Sequence, residues 1–307
     1  MKMTKRYPRT IMATACVPWN EDFSFDEENF RRGVALLVDN GIRSIYTFGT
    51  AGEGYAVNHE QFVAITKAFL DETGKTPDVM PMTGIISLSM SEIIERIELA
   101  LDLGAKDFQL SFPSWGGVQP EEGMGFLKDI CDRYPQARFM HYNNAFRSHT
   151  RLSMAHYTRL ADEVPNLVAV KNTGLGIAQI QEFHSREIPI EFFNMEYAYG
   201  FASLTGSSSL LISYLNLNYK RAWDYFYAGQ NRDVDKIVSM HSEIETAVRI
   251  MNDHIPAGKI DSAYDKLFSK FSIADFSQRL YPPYEGISDE HFNKFADALR
   301  RELPQWC

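Results

Sequence analysis

A lysine, a tyrosine and a glycine-rich loop are the parts of this 307-residue sequence that most invite a chemical reading. Lys171 closes the run Leu167-Val168-Ala169-Val170, which follows a turn at Pro165-Asn166 and precedes Gly174 and Gly176. Such a short apolar run, two of its residues β-branched, reads as a strand buried on both faces, as in a parallel sheet. A lysine at the end of that strand loses hydration, so its amine pKa falls, and a neutral amine near pH 7 attacks carbonyl carbons. Taken alone, the stretch favours a lysine that snorkels out to solvent. The rest of the chain changes that balance.

The loop Gly49-Thr50-Ala51-Gly52-Glu53-Gly54 holds three glycines in six residues. Its backbone can bend sharply and turn N–H groups toward one point, a nest for an anion such as a carboxylate, with the Thr50 hydroxyl as a further donor. By itself Gly-x-x-Gly-Glu is more often an ordinary turn. Downstream, Phe112-Pro113-Ser114-Trp115-Gly116-Gly117 offers an indole that can roof a pocket or pack on a helix. In His141-Tyr142-Asn143-Asn144 the phenol of Tyr142 can relay protons, and Arg147 soon after can pair with a carboxylate. An amine, a phenol, an anion nest and an aromatic wall converging by accident on one site is far less probable than any one of them arising alone.

The elements that must position these residues alternate between strand and helix. The strand segments are Thr10–Val17, Ser44–Phe48, Asp78–Ile85, Asp107–Phe112, Arg138–Tyr142, Leu167–Lys171, Glu191–Asn194 and Ser208–Tyr214. The helical partners are Asp26–Asp39, Asn58–Glu72 with Asn58 as its cap, Met90–Leu103, Glu121–Arg133, Ser153–Glu163, Ile177–Ser185, Tyr199–Leu204 and Tyr219–Ala228. Most helices end near Gly or Pro and reach the next strand within a few residues. Eight such units in about 230 residues predict a (β/α)8 TIM barrel over residues 1–230. The alternative, a doubly wound open sheet, lacks a Gly-x-Gly-x-x-Gly after the first strand. Residues 231–307 contain no convincing strand. Asp233–Asp253, Ser262–Phe271 and Asp289–Leu303 predict a C-terminal helical extension rather than a separate domain. In this architecture the carboxyl ends of the strands carry the chemistry, and the residues singled out above sit at those ends.

Composition removes whole classes of function. A formal net charge of -9 gives no electrostatic footing on nucleic acid or an anionic membrane. No apolar run approaches the roughly 20 residues of a membrane helix, and the basic N-terminus is not followed by an apolar signal core. Cys16, Cys131 and Cys307 stand far apart, without metal-ligand or redox spacing, so a reduced cytoplasmic setting is expected. No cluster of His, Cys and carboxylates has ligand spacing, and neither a metal nor a cofactor is expected.

Gly49-Thr50-Ala51-Gly52-Glu53, Tyr142-Asn143 and Val170-Lys171-Asn172-Thr173, in this order and spacing, resemble the dihydrodipicolinate synthase / N-acetylneuraminate lyase superfamily. The similarity runs from about Thr10 to the end, with Gly206–Asn216 and Arg279-Leu280-Tyr281-Pro282-Pro283 as later landmarks. The resemblance implies a (β/α)8 barrel with a helical extension, often a homotetramer. It implies class I lyase chemistry, in which a lysine forms a Schiff base with a 2-oxo acid, usually pyruvate, without metal. Lys171 would be the Schiff-base lysine and Tyr142 the proton-relay tyrosine. Gly49, Thr50 and Ala51 would hold the pyruvate carboxylate.

Several residues depart from the synthase pattern and bear on the second substrate, an aldehyde. Ala51 stands where a second hydroxyl residue is usual, and Trp115 stands where dihydrodipicolinate synthases place a tyrosine. Trp115 after Pro113-Ser114, with Asn144 two residues after Tyr142, resembles the aromatic hydratase-aldolases of the superfamily. Arg147 falls where the synthases keep a carboxylate-binding arginine. The sequence thus predicts an aldolase or hydro-lyase with a bulkier or more apolar acceptor than aspartate semialdehyde. Dihydrodipicolinate synthase itself is the alternative, and a non-catalytic 2-oxo acid sensor on the same fold is the reading from another class.

Overall fold

The computed structural model describes residues 4–307. Eight parallel strands close into a barrel in sequence order: β1 (Ile11–Thr14), β2 (Ser44–Thr47), β3 (Met80–Ile85), β4 (Asp107–Leu110), β5 (Arg138–Asn143), β6 (Leu167–Asn172), β7 (Glu191–Met195) and β8 (Ser209–Leu211). Closure is made by β1 on β8, with Ile11 beside Leu210 and Met12 beside Leu211. Between them run α1 (Glu27–Asp39), α2 (His59–Thr73), α3 (Met90–Asp102), α4 (Pro120–Arg133), α5 (Ala145–Ser148), α6 (Met154–Glu163), α7 (Ile177–Phe183) and α8 (Glu196–Thr205). The barrel is followed by α9 (Tyr219–Asn231) and then by the extension, α10 (Val234–His254), α11 (Asp261–Ser272) and α12 (Asp289–Glu302).

The apolar residues separate into two layers, as a closed parallel barrel requires. Met12, Tyr46, Met82, Met140, Phe193 and Leu211 point inward and fill the barrel. The alternate strand residues, such as Ile11, Ile45, Phe108, Phe139 and Val170, pack outward on the helices. Helix starts follow local chemistry. The Asn58 side chain accepts from Gln61 N at 2.9 Å while Gln61 returns a bond to Asn58 N at 3.0 Å, so α2 begins where the sequence predicts.

Element bounds differ from the sequence expectation at several places, among them β8, α8 and the segment after β5. The expected strand Ser208–Tyr214 stops at Leu211, because the Glu196 carboxylate captures the N–H groups of Ser213 and Leu215. Helix α8 starts three residues early, directly after β7, with Glu196 buried in its first turn. A one-turn helix, α5, follows β5 at once, and Asn144 caps it by accepting from Phe146 N at 3.1 Å.

Extension and barrel are tied by a buried ion pair. Lys266 on α11 donates to the Glu53 carboxylate from the loop after β2, and both side chains are fully buried. The same carboxylate accepts from Trp19 Nε1 at 3.1 Å and from Tyr281 N at 2.8 Å. A buried pair is tolerated only with its remaining bonds satisfied, and these two donors meet that demand.

Candidate active site

Lys171 is the penultimate residue of β6, next to Tyr142 on β5 and Phe193 on β7 in the strand register. Its side chain rises along the barrel axis and is 4% exposed. The ammonium donates to the Tyr46 hydroxyl at 2.8 Å and lies 4.2 Å and 4.0 Å from the ring centroids of Tyr46 and Tyr142. Burial pushes the amine from an ordinary 10.5 down to about 7, against the opposing pull of the Asp265 and Asp261 carboxylates. A substantial fraction is therefore the neutral nucleophile at physiological pH.

Tyr142 is held by its neighbours. Asn144 donates to its hydroxyl at 2.8 Å, and the hydroxyls of Thr50 and Thr173 face the same oxygen. Burial pushes the phenol up to about 12, so it stays protonated and can give a proton but does not sit as a phenolate.

The loop after β2 folds tightly on itself. A Cβ on Gly49 would meet the Tyr46 ring at 2.7 Å, and one on Gly52 would meet the Phe48 backbone nitrogen at 2.5 Å. Only glycine permits this approach. The amides of Glu53 and Gly54 are used within the turn, bonding to the carbonyls of Thr50 and Gly49. Those of Thr50 and Ala51 make no hydrogen bond among the described residues, and both residues line the same cavity as Lys171.

A cavity of about 580 Å³ opens above Lys171 and is lined by Tyr46, Thr50, Ala51, Tyr142 and Asn144 on the barrel side. Of the residues singled out from the sequence, Lys171, Tyr142, Thr50, Ala51 and Asn144 thus come together around one space, with Gly49 packed beneath them. The far wall comes from α10 and α11, through Met251, Asp261, Tyr264, Asp265 and Phe268. A second cavity, of about 710 Å³, shares Thr50, Tyr142, Asn144 and Phe146 with the first and is lined also by Arg147, Ser87 and Ser114.

Two expected residues lie elsewhere than a shared pocket wall would require. Trp115 is 90% exposed and lines neither cavity. The aromatic that is buried after β4 is Phe112, whose ring lies tilted 4.4 Å from that of His141 and against Gly123 of α4, and the chain then carries Trp115 out to solvent. Arg147 lines the second cavity, donates to Asp261 at 3.2 Å and stands over the Phe146 ring at 5.0 Å. That bond links the loop after β5 to the extension, and the guanidinium already has an anionic partner.

Sequence reasoning missed Tyr46, Asp261 and Asp265. Tyr46 lies in β2, three residues before Gly49, and its parity with the inward residues is visible once the strand is placed. Asp261 and Asp265 are spaced i,i+4 and share a helix face, a signal that says they act together but not what they face. Among the described residues no group of three or more His, Cys, Asp or Glu side chains is arranged to hold a metal ion. No helix among them is long and apolar enough to cross a membrane.

Comparison with known proteins gives concordant results. The 4-hydroxy-tetrahydrodipicolinate synthase of Syntrophotalea carbinolica is 28% identical over 168 residues, covering 55% of this chain and 56% of the relative. The trans-O-hydroxybenzylidenepyruvate hydratase-aldolase of Sphingobium xenophagum is 27% identical over 158 residues, covering 51% and 47%. The chain thus spans about half the length of these curated relatives. The solved structure of dihydrodipicolinate synthase from Aquifex aeolicus shares the fold, with a TM-score of 0.83 over 96% of this chain and 98% of that one at 17% identity. A sequence profile matches residues 7–251, most of the chain, and by that match the protein belongs to the dihydrodipicolinate synthetase family.

Proposed function

We propose that this protein is a class I lyase that joins Lys171 to pyruvate or a related 2-oxo acid as a Schiff base and makes or breaks a bond at C3. The observation that carries the reading is the buried, depressed amine of Lys171, facing a cavity whose rim holds a protonated phenol and two unbonded amides. The neutral amine adds to the C2 carbonyl, and loss of water gives an iminium. That cation draws in the electrons of the breaking C3 bond, and the resulting enamine is the stabilised form. Tyr142 is the acid–base group for the departing or arriving oxygen. The amides of Thr50 and Ala51, with the Thr50 hydroxyl, hold the 2-oxo acid carboxylate and fix C2 against the lysine.

The acceptor side supports a bulky, weakly charged aldehyde. Ala51, Phe146, Met195, Met251 and Phe268 make much of that wall apolar, and the Asp261 carboxylate opposes a second carboxylate. Trp115 has no part in that wall. Arg147 at the second cavity favours the alternative, dihydrodipicolinate synthase, if it leaves Asp261 to bind a carboxylate on the acceptor. A cytoplasmic homotetramer acting on small molecules is the setting this reading implies. Two experiments test it. Reduction with borohydride in the presence of pyruvate, followed by peptide mapping, should label Lys171 alone. An adduct on another peptide, or none, removes the mechanism. With pyruvate fixed, kcat/KM should be higher for aromatic or sugar-like aldehydes than for aspartate semialdehyde. A tenfold preference for aspartate semialdehyde, about 1.4 kcal/mol in transition-state binding, puts the alternative first.

A further inference from the structure

Helix α11 brings a carboxyl group to the wall of the cavity above the lysine. Asp265 is 9% exposed, lines the cavity above Lys171, and accepts from Ser213 Oγ at 3.1 Å. Among the described residues no lysine, arginine or histidine pairs with it within 4.0 Å, whereas Asp261, one turn earlier, is paired with Arg147. Asp265 therefore has no cation of its own, yet it is the strongest charged influence on the Lys171 amine. A carboxyl group in an apolar wall with one hydroxyl donor is costly unless it is protonated or faces a positive charge.

We propose that Asp265 is the acid that expels water from the carbinolamine at Lys171, and the anion that then faces the iminium. The proposal rests on the reading of Lys171 as the Schiff-base nucleophile. The neutral amine bonds to C2, and its spare proton passes to the former carbonyl oxygen, giving the carbinolamine. The nitrogen lone pair then forms the C=N bond while the C2–O bond breaks. The leaving hydroxyl takes the Asp265 proton and departs as water. One iminium cation and one carboxylate remain where an amine, a ketone and a carboxylic acid had been. Hydrolysis of the product imine runs the same transfers backwards.

Acid strength favours Asp265 over the phenol for this step. Burial pushes the Asp265 carboxyl up to about 7, whereas Tyr142 stands at about 12. A group that titrates near the working pH gives protons more effectively than one five units above it. Lys171 also titrates near 7, so a single internal transfer turns an ammonium–carboxylate pair into the amine and the acid that the reaction needs. The titratable groups facing Asp265 are Lys171 on β6, Tyr46 on β2, Cys16 after β1, Glu196 opening α8, Tyr214 after β8 and Asp261 on its own helix.

The test is the rate at which pyruvate and borohydride label Lys171, followed by intact mass from pH 5.5 to 9. Asp265→Asn keeps the shape and the bond to Ser213 but has no proton to give. Its labelling at pH 7 should slow by roughly 10²-fold or more, with partial recovery in Asp265→Glu. Ser213→Ala removes a donor that favours the carboxylate, so the basic limb of the profile, where the acid is lost, should move to higher pH. Labelling of Asp265→Asn at the wild-type rate, with an unchanged profile, overturns the proposal. If Asp265→Asn gives no cooperative melt, Ser213→Ala decides, and an unmoved limb overturns it. Wild-type protein that takes no label at Lys171 overturns instead the Schiff-base reading on which the proposal stands.

Discussion

Replacing Lys171 by methionine should abolish turnover, and its effect on stability should depend on pH in a way the structure dictates. Methionine keeps the length of the side chain and removes the amine. In the wild type the amine falls from an ordinary 10.5 to about 7 by burial, and the side chain is only 4% exposed, so solvent does little to soften that cost. At about 1.36 kcal/mol per pH unit, holding the amine unprotonated costs the fold about 4 kcal/mol at pH 7. Between pH 7 and 10.5 the unfolded chain binds a proton that the folded chain does not, so wild-type stability rises with pH across this window. Below pH 7 both states are protonated and the penalty is constant. Methionine removes the penalty but deprives the Tyr46 hydroxyl of its 2.8 Å donor, a loss of about 1–3 kcal/mol that does not vary with pH. Lys171→Met should therefore be the more stable protein at pH 7 and the less stable one by pH 10. Urea unfolding of both proteins at intervals from pH 7 to 10 reads the difference directly. It should fall by about 4 kcal/mol across the range. A difference that stays constant within 1 kcal/mol would refute the argument, because the lysine would then carry an ordinary pKa in the folded protein.

Three further outcomes are expected. Tyr142→Phe should lower kcat by roughly 10²–10⁴, the range for a lost acid–base group, and a near-wild-type kcat would place the proton relay elsewhere. Tyr46→Phe removes the acceptor that favours the Lys171 ammonium, so the midpoint of pyruvate labelling against pH should move down by up to about one unit, while a rise would contradict the 2.8 Å bond as its cause. Glu53→Ala leaves the Lys266 ammonium buried without its partner and should cost about 3–5 kcal/mol in unfolding free energy, measured in urea, whereas a loss below 1 kcal/mol would mean that water reaches Lys266.

Much of the fold was legible because each unit of the barrel announces itself locally. The run Leu167–Val170 marks a strand buried on both faces, and the Asn58–Gln61 cap marks a helix start, without reference to anything distant. The boundaries that moved did so through tertiary bonds. The strand at β8 is cut short by Glu196, twelve or more residues away in the chain, and no pattern around Ser209 foretells it. That Lys171, Tyr142 and Thr50 border one cavity was legible for the same local reason, since they sit at strand ends whose position follows from the repeat. Asp265 was not, because a helix face carries no mark of what it covers. The place of Trp115 was not legible, because an aromatic after a strand is equally suited to a pocket wall and to the surface, and here it is 90% exposed.

The cavity wall supplied by α10 and α11 has a consequence for the birth of the enzyme. A ribosome adds roughly 5–20 residues per second, so β8 is complete several seconds before Asp265 and Phe268 are made. Until then the wall that α11 gives the cavity is missing, and Lys171 is less enclosed than in the finished fold. A less enclosed amine stays closer to its ordinary 10.5 and is protonated for more of the time. The enclosure is completed when α11 docks through Lys266 and Glu53, so the order of elements along the chain brings the full depression of the amine late.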